Sequence, residues 1–304
     1  MTFSIVARSG DAVGIAVQSK FVSVGSVVPF ASADAGAIAT QSFANVAYGA
    51  EGLEHLRKGH TAAETIEQLT GEDDEAERRQ VGVVGADGSV AGFTGEECFD
   101  TALDVQGESY TVQGNILENE ATVHAMADAF EDAAGGLPER LLAALKAGEA
   151  AGGDSRGKQS AALYVVKPEG GYDGGNDRWI DVRVDDHETP IQELERVFKL
   201  YDVTLLAREE PADVAELKGD TAQAVADMLA ALGHLDAAAA EDVVAFGEAH
   251  GEALEAFRGM NNFENHSLSV IEDALARGWA DADGEGEDRM VDAIWHGLQR
   301  LDRM

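Results

Sequence analysis

The fold of this chain is decided near its start, by residues 2–20, TFSIVARSGDAVGIAVQSK. Apolar residues run through Phe3–Arg8 and again through Val13–Lys20, and Gly10-Asp11 between them is a turn-forming pair. The segment therefore predicts a β-hairpin whose first strand begins immediately after Thr2.

Beyond this hairpin, strands and helices alternate in blocks. Further strands are predicted at Ser26–Phe30, Gly36–Ser42, Gln80–Val84, Val90–Thr94, Tyr110–Ile116, Ser160–Val166 and Trp179–Val184. Helices are predicted at Tyr48–Lys58, from Thr61 onward, and at Ala121–Ala134, Pro138–Ala151 and Pro190–Tyr201. Thr61-Ala62-Ala63-Glu64 is a capping box, and Asp87-Gly88 is a hairpin turn. Because hairpins and helix pairs occur in separate groups, we predict an α+β layered fold with largely antiparallel sheets.

The composition changes near residue 204, after which strand patterns cease. We therefore predict two domains, 1–204 and 205–304, with a linker at 208–211. The second domain is predicted to be small and all-helical. Its helices are expected at Thr221–Leu232, Ala238–His250, Leu254–Phe257, Ser267–Trp279 and Met290–Leu301.

Charge is the strongest compositional signal. The chain has 22 Lys and Arg against 57 Asp and Glu, a net charge of −35. Such an acidic surface is typical of proteins from salt-rich cells, where self-repulsion is screened, so we expect a halophilic source. Nucleic acid is excluded as a partner, because phosphate binding needs clustered Lys and Arg.

Cysteine, histidine and hydropathy patterns narrow the classes further. Cys98 is the single cysteine, which excludes an internal disulfide framework, and the 8 histidines have no metal-ligand spacing. No metal and no cofactor are expected. The sequence contains neither a secretory signal nor an apolar run of the ~18–20 residues that a spanning helix needs. We expect a cytoplasmic protein without a membrane partner.

Thr2 is the first candidate for chemistry. If Met1 is removed, Thr2 carries both a hydroxyl and a free α-amine, which titrates near ~7.7–8.0 and can act as a base. A threonine paired with its own amine is a known activated nucleophile. The alternative is an ordinary processed terminus, since many chains begin Met-Thr.

The context of Thr2 resembles the N-terminal nucleophile hydrolases, such as proteasome β subunits, in which the nucleophile opens the first strand of a hairpin. At a narrower level the chain is similar to the family called domain of unknown function 1028. The similar phrases are MTFSIVAR, VGIAVQSKFVSVGSVVPFA, GAIATQSFANVAYGAEGLEHLRKG, RQVGVVGADGSVAGFTG, YTVQGNIL, ERLLAALKAGEAAGGDSRGKQSAAL and WIDVRVDDH. That resemblance implies a four-layer αββα sandwich over most of residues 1–200.

The resemblance also implies catalytic residues. Thr2 matches the nucleophile, and Asp154 matches the carboxylate that holds the nucleophile's amine. Ser19 stands where proteasomes have an aspartate. No lysine occurs at the spacing of the proteasomal lysine that lowers the nucleophile's pKa, so Lys20, the nearest basic group, is the candidate to replace it. Thr40 aligns with the residue whose backbone N–H stabilises the oxyanion.

Other polar residues are candidates for substrate contact. Asn115 can donate to an oxyanion, or it is a turn-forming residue after Gly114. Gln41 and Asn45 are similar amide candidates. Arg8 and Arg156 can hold a substrate carboxylate through a bidentate pair, or they are surface ion-pair partners.

Two functions follow as alternatives. The first is an N-terminal nucleophile amidohydrolase that cleaves a C–N amide bond of a small-molecule substrate. The second is a non-catalytic binding or scaffold protein on the same fold. Residues Asp220–His234 and Glu252–His266 resemble a peptidoglycan-binding tail, for which docking or dimerisation, and hence a homo-oligomer, is the expected role.

Overall fold

The computed structural model describes residues 2–99, 101–206 and 215–280. The chain divides into two compact units, Met1–Arg196 and Val197–Met304. This division falls inside the helix Pro190–Tyr201, so the domain boundary at 204 stays a prediction. The predicted linker at 208–211 and the predicted final helix Met290–Leu301 lie outside the described residues.

The first unit contains two antiparallel sheets. The strands in chain order are β1 Thr2–Ser9, β2 Ala12–Ser19, β3 Pro29–Ser32, β4 Gly36–Ser42, β5 Arg79–Gly85, β6 Val90–Thr94, β7 Leu103–Gln106, β8 Tyr110–Asn115, β9 Ser160–Val166 and β10 Arg178–Val184. One sheet has six strands in the order β10-β9-β2-β1-β8-β7, and the other has four in the order β3-β4-β5-β6. The predicted N-terminal hairpin is present, with Phe3 opposite Gln18 and Arg8 opposite Val13.

Four helices cover the outer faces of the two sheets. They are α1 Ala47–Arg57, α2 Ala62–Gly71, α3 Ala121–Asp132 and α4 Leu137–Ala150. Helices α1 and α2 pack on the four-stranded sheet, α3 and α4 pack on the six-stranded sheet, and the two sheets pack face to face. The predicted four-layer αββα arrangement is therefore present, and the predicted capping box opens α2, with Thr61 accepting from the Glu64 N–H.

Alternation along the strands separates the layers. On β1, Phe3 and Ile5 face the helices, whereas Thr2, Ser4 and Val6 face the opposite sheet. All of these side chains are buried, so both faces of the central strands lie inside the domain. This register decides that the Thr2 hydroxyl lies between the sheets rather than under a helix.

Two predictions in the first unit need correction. The strand predicted at Ser26–Phe30 is a short 3₁₀ turn, Val24–Ser26, followed by β3, which starts three residues later than predicted. Strand β7 was not predicted, because Asp104 points into the interior and interrupts the apolar pattern. Its carboxylate accepts a hydrogen bond from Thr94 Oγ1 at 2.7 Å.

The second unit is helical within the described residues. Helix α5, Pro190–Tyr201, leads into it, and α6 Gly219–Ala231, α7 Glu248–Met260 and α8 Leu268–Ala280 follow. Their core includes Val225, Leu229, Leu254, Phe257 and Ile271. Across the described ranges, no helix combines the length and apolar character needed to cross a bilayer.

The helix predicted at Ala238–His250 is wrong. A 3₁₀ turn, Ala237–Ala240, is followed by Asp242 at a left-handed φ of 53°, which stops helix propagation. The Val243 N–H then donates to Gln223 Oε1 instead of to a helical carbonyl. Helix α7 starts anew at Glu248, with the Gly247 N–H donating to His250 Nδ1.

Candidate functional site

Thr2 begins β1, one of the two central strands of the larger sheet. It is 7% exposed, and across the ladder it lies directly opposite Asn115 on β8. Its Oγ1 is 3.1 Å from the Ser19 Oγ at the end of β2, where Ser19 is fully buried. A hairpin register of this kind brings the first and last residues of the two strands together, which explains why two hydroxyls 17 residues apart meet.

A pocket of about 280 Å³ opens beside these hydroxyls. It is lined by Thr2, Ser19, Phe21, Val24, Val27, Val28, Gln41, Ser42, Ala44 and Arg156. Ser42, the last residue of β4, has a left-handed φ of 70°, which is uncommon for a residue with a Cβ. Such a conformation redirects the chain sharply where β4 ends, so that Ala44 also reaches the pocket.

Behind the pocket, polar side chains connect the two sheets. We call Ser4, Gln41, Gln80, Gln113 and Asn115 the polar seam. Ser4 Oγ donates to Gln41 Oε1 at 2.7 Å and accepts from Gln113 Nε2 at 2.6 Å. Gln41 Nε2 donates to Gln80 Oε1 at 2.8 Å, and it also lies 3.4 Å from the Thr2 carbonyl oxygen. The seam therefore links the backbone of Thr2 to both sheets.

Gln80 is the centre of this seam. Its Oε1 accepts from Gln41 and, at 2.9 Å, from Asn115 Nδ2. Its Nε2 donates to the Gly114 carbonyl at 2.8 Å and to Thr94 Oγ1 at 3.0 Å. Both ends of a buried amide are thus satisfied, as burial of a polar group requires. Asn115 Oδ1, by contrast, is buried and has no hydrogen-bond partner among the described residues.

Two glycines on the smaller sheet make room for these polar side chains. A Cβ at Gly82 would lie 2.2 Å from Gln113 Oε1, and one at Gly92 would lie 2.5 Å from Asp104 Oδ2. Neither distance is sterically possible. The strands carry glycine here because the amide and carboxylate of the facing sheet approach their backbone closely.

Asp154 lies at the same end of the larger sheet as Thr2. Its side chain is fully buried, and its Oδ2 accepts from the Lys20 backbone N–H at 2.8 Å, while Oδ1 accepts from the Arg156 backbone N–H at 2.9 Å. The Arg156 guanidinium is 3.4 Å from Oδ2. Asp154 therefore anchors the residue that follows Ser19 and the loop that carries Arg156.

The structure gives Lys20 and Thr40 other contacts than the predicted ones. The Lys20 side chain is exposed and donates to the Lys158 carbonyl, so it is the Lys20 backbone that takes part in the site. The Thr40 N–H donates to the Val28 carbonyl at 3.1 Å, which occupies the donor expected to stabilise an oxyanion.

Two further candidates lie away from Thr2. Arg8 is six residues farther along β1, about 20 Å at the rise of an extended strand, and its guanidinium lies near Gly88 in the β5–β6 turn. Asn45 does not line the pocket. Its Oδ1 accepts from the Ala47 N–H at the start of α1, and its Nδ2 lies 3.3 Å from Asp73 Oδ2. Neither residue contacts the Thr2 pocket.

An ion pair fixes the loop that follows Ser42. Arg79 Nε donates to Asp73 Oδ2 at 2.9 Å, with both side chains 12% exposed, and Arg79 also binds the Phe43 carbonyl. The hydrogen bond from Arg79 holds the pKa of the Asp73 carboxyl well below its usual range. Burial, together with the Asp73 carboxylate, raises the pKa of the Tyr48 hydroxyl that donates to Asp73.

Two further observations concern the acidic side chains and the single cysteine. Within the described residues, no group of three or more His, Cys, Asp or Glu side chains is arranged to hold a metal ion. Burial raises the pKa of the half-buried Cys98 thiol, which lies 3.3 Å from the Arg79 carbonyl. A raised pKa keeps the thiol protonated and unreactive.

The seam residues Ser4, Gln80 and Gln113 were not predicted from the sequence. A signal for them exists, since Gln41, Gln80 and Gln113 each occupy a fully buried position of a strand. Polar residues at such positions are costly unless they pair with one another. Which ones pair depends on how the two sheets face each other, which periodicity along single strands does not specify.

The two parts of the chain match two different family models. Residues 2–194 match the model of the "Family of unknown function (DUF1028)", and residues 204–295 match that of the "Putative peptidoglycan binding domain". Protein SPO2555 from Silicibacter pomeroyi, whose crystal structure is assigned to DUF1028, is 31% identical, with a TM-score of 0.61 over 66% of this chain and 89% of that one. No curated protein matches the chain.

Proposed function

The chain belongs to the DUF1028 family, a family of unknown function, and we propose that it is an N-terminal nucleophile amidohydrolase with Thr2 as its nucleophile. The observation that carries this proposal is the position of the Thr2 hydroxyl. It is buried between two sheets at the start of β1, and it opens onto a pocket that can admit a small molecule. The proposal requires removal of Met1, which frees the Thr2 amine.

The reaction follows from that amine and hydroxyl. Thr2 Oγ attacks the carbonyl carbon of an amide, and the Thr2 α-amine takes the hydroxyl proton and later delivers it to the leaving amine. The resulting ester on Thr2 is then hydrolysed by water. Ser19 Oγ, 3.1 Å from Thr2 Oγ1, orients the nucleophile and can relay the proton between hydroxyl and amine.

Two amides of the seam supply the remaining roles. Gln41 lines the pocket. One of its Nε2 protons is donated to Gln80 Oε1. The contacts of Gln41 Nε2 to the Thr2 and Gln113 carbonyl oxygens are long, at 3.4 Å each. That second proton, which makes only these long contacts, is the donor that we assign to the developing oxyanion, a contribution worth ~2.7–4 kcal/mol for one donor. Asn115 Oδ1, a buried acceptor directly across the ladder from Thr2, is suited to hold the freed α-amine. Asp154 acts indirectly, by fixing the chain at Lys20 next to Ser19.

A covalent probe tests this proposal without knowledge of the substrate. We expect a β-lactone to acylate Thr2 of the protein that lacks Met1, seen as one adduct by intact mass and assigned to Thr2 by peptide mapping. Thr2→Ser keeps a hydroxyl and should still be labelled, whereas Thr2→Ala should lower labelling by at least ~10³-fold. Equal labelling of Thr2→Ala, or quantitative retention of Met1 in native protein, would overturn the proposal.

A non-catalytic binding protein is the second candidate. It is favoured by the contacts of Lys20 and Thr40, because the nearest lysine turns away and the expected oxyanion donor is occupied. This candidate predicts that small molecules bind the pocket with the same affinity in Thr2→Ala and in the parent, and that neither is labelled.

The halophilic source, cytoplasmic location and homo-oligomer remain predictions, as does the docking role of residues 205–304.

A further inference from the structure

Two large apolar side chains are displayed at the mouth of the Thr2 pocket. Phe21 lines the pocket and is 50% exposed, and the neighbouring Val22 is 53% exposed. The chain has 57 Asp and Glu residues with which to cover its surface, and yet it places two adjacent apolar side chains here. Exposed apolar surface that borders a pocket is typical of a ligand-binding groove.

Buried groups hold the segment that carries these two side chains. The buried Asp154 carboxylate accepts from the Lys20 N–H at 2.8 Å. The fully buried Ser160 hydroxyl donates to the Phe21 carbonyl oxygen and accepts from the Val24 N–H at 3.0 Å. The backbone is therefore fixed on both sides of the exposed pair, so the exposure of the two side chains is a property of the fold.

The displayed surface is small, which favours a small molecule over a protein partner. Phe21 and Val22 together expose on the order of 200 Å² of apolar surface, whereas a stable protein interface buries about 800 Å² on each partner. The exposed rings of Phe43 and Phe99 contact each other, with centroids 5.4 Å apart, and neither lines the pocket. The occupant that fits this surface is a single apolar group of a small ligand.

The buried lining of the pocket divides into a polar and an aliphatic part. Its polar side chains are Thr2, Ser19 and Gln41, and its aliphatic ones are Val24 and Val28. In the proposed reaction the polar set attacks, orients and stabilises the scissile amide. The aliphatic set and Phe21 are then left to contact the rest of the substrate, and carbon atoms rather than polar atoms match them.

The proton transfer decides which side of the amide carries that apolar group. The Thr2 α-amine delivers the proton to the departing nitrogen, and we assign this amine to Asn115, on β8. Strands β2 and β8 flank β1 on opposite sides. Phe21 follows the end of β2, and among the described residues that line the pocket none belongs to β8. The departing amine therefore lies toward β8, and the acyl group lies toward Phe21.

We propose that the substrate is an uncharged amide whose acyl group ends in a single apolar ring that contacts Phe21. A pocket of about 280 Å³ is at the small end for ligand sites, so it has room for one ring rather than a long chain. The net charge of −35 repels anions, and Arg156 at the same mouth is already paired with the buried Asp154 carboxylate. This inference rests on the proposed function, since Thr2 must cleave the amide.

The bond changes balance without any co-reactant besides water. The Thr2 Oγ–acyl ester forms as the C–N bond breaks, and the hydroxyl proton passes through the α-amine to the departing amino group. Water then cleaves the ester, which releases the carboxylic acid that carries the ring and restores the Thr2 hydroxyl.

The test compares two N-methylamides that share the leaving amine and differ in the acyl group. Protein lacking Met1 is assayed with N-methylacetamide and with N-methylcyclohexylacetamide. We expect kcat/KM to be at least ~10-fold higher for the cyclohexyl amide, a difference of ~1.4 kcal/mol, because only its ring reaches Phe21. Phe21→Ala should reduce this ratio to less than ~3-fold without changing kcat/KM for N-methylacetamide, and Phe21→Leu should retain most of it.

Tyr172→Ala is the matched control, since it removes an exposed aromatic ring that follows the far end of β9. This variant should leave the ratio unchanged. A carboxylate on the ring tests the charge, and this analogue should be cleaved at least ~10-fold more slowly than the cyclohexyl amide. Equal or faster cleavage of the carboxylate analogue, or an unchanged ratio in Phe21→Ala, would overturn the substrate class.

A second copy of the chain is the competing occupant of the exposed pair, and sedimentation velocity separates it from the substrate. If the parent self-associates and Phe21→Ala does not, while both cleave the two amides at the same ratio, Phe21 belongs to an interface between copies and the proposal fails.

The outcomes also separate this inference from the proposed function. If neither amide is cleaved while the β-lactone still labels Thr2, the substrate class is wrong and the nucleophile stands. If there is neither cleavage nor labelling, the proposed function fails and this inference fails with it.

Discussion

The space between the two sheets has two halves of opposite chemistry. Around β2 and β9 it is filled by aliphatic side chains such as Val6, Val13, Ile15, Val17 and Ala39. Around β5 and β8 the polar seam fills it with buried amides instead. Both halves belong to the same layer and use the same alternation along the strands.

This difference separates two uses of a protein interior. The apolar half stabilises the sandwich by removing aliphatic surface from water, at roughly 25 cal/mol per Å². The seam gains little net energy from each hydrogen bond, about 0.5–1.5 kcal/mol, yet it is costly to disrupt, because an unpaired buried group pays its full desolvation penalty. What the seam provides is a fixed geometry of its own side chains, two of which, Gln41 and Asn115, lie 3.4 and 3.5 Å from the Thr2 carbonyl oxygen.

The largest effect is expected at the centre of the seam. Gln80→Leu leaves the amides of Gln41 and Asn115 and the Gly114 carbonyl without their partner, and should lower the free energy of unfolding by about 3–5 kcal/mol. In the apolar half, Ile15→Val deletes one methylene and should cost about 0.5–1.5 kcal/mol. Urea unfolding of the parent and both variants measures the two changes.

Equal losses of unfolding free energy in Gln80→Leu and Ile15→Val would show that the polar seam is no more sensitive to substitution than the aliphatic half. If the seam positions Thr2, Gln80→Leu should also slow β-lactone labelling under conditions where it is still folded, whereas Ile15→Val should not.

Sequence patterns predicted one half of this interior well and the other poorly. The hairpin of residues 2–20 and the strand Gly36–Ser42 were predicted because each is an apolar run with clear turn signals, and such runs specify the aliphatic half. Gln80 and Asp104 were missed as site-forming residues because their partners come from the facing sheet. Local pattern does not report contacts of that kind, and it likewise gave no sign that Val28 would occupy the Thr40 N–H.

A smaller effect is expected where glycine admits the seam. Gly82→Ala would place a Cβ 2.2 Å from Gln113 Oε1, so the Gln113 side chain must move and break its 2.6 Å hydrogen bond to Ser4. We expect a loss of about 1–3 kcal/mol, the usual cost of overpacking a core. Gly71, the exposed last residue of α2, is the matched control, since among the described residues a Cβ there meets no heavy atom within 4 Å. Gly71→Ala should be neutral or stabilise by up to ~1 kcal/mol, and a comparable loss in both variants would contradict the steric explanation.

The smallest effect concerns the ion pair that anchors the start of β5, next to Gln80. Arg79 holds the Asp73 pKa below its usual value, so the ionised carboxylate stabilises the folded state. This stabilisation is complete above pH ~4, the ordinary aspartate range. It is lost as the pH falls through the lowered pKa. Asp73→Asn should therefore lower the free energy of unfolding at pH 7 by on the order of 1 kcal/mol, and the gap between parent and variant should close as the pH falls below ~4. Glu75→Gln removes the other carboxylate on Arg79, which is 54% exposed, and should cost less than ~0.5 kcal/mol at pH 7. A parent–variant gap for Asp73→Asn that stays constant from pH 7 to pH 3 in urea titrations would show that hydrogen bonding rather than charge holds this end of the seam.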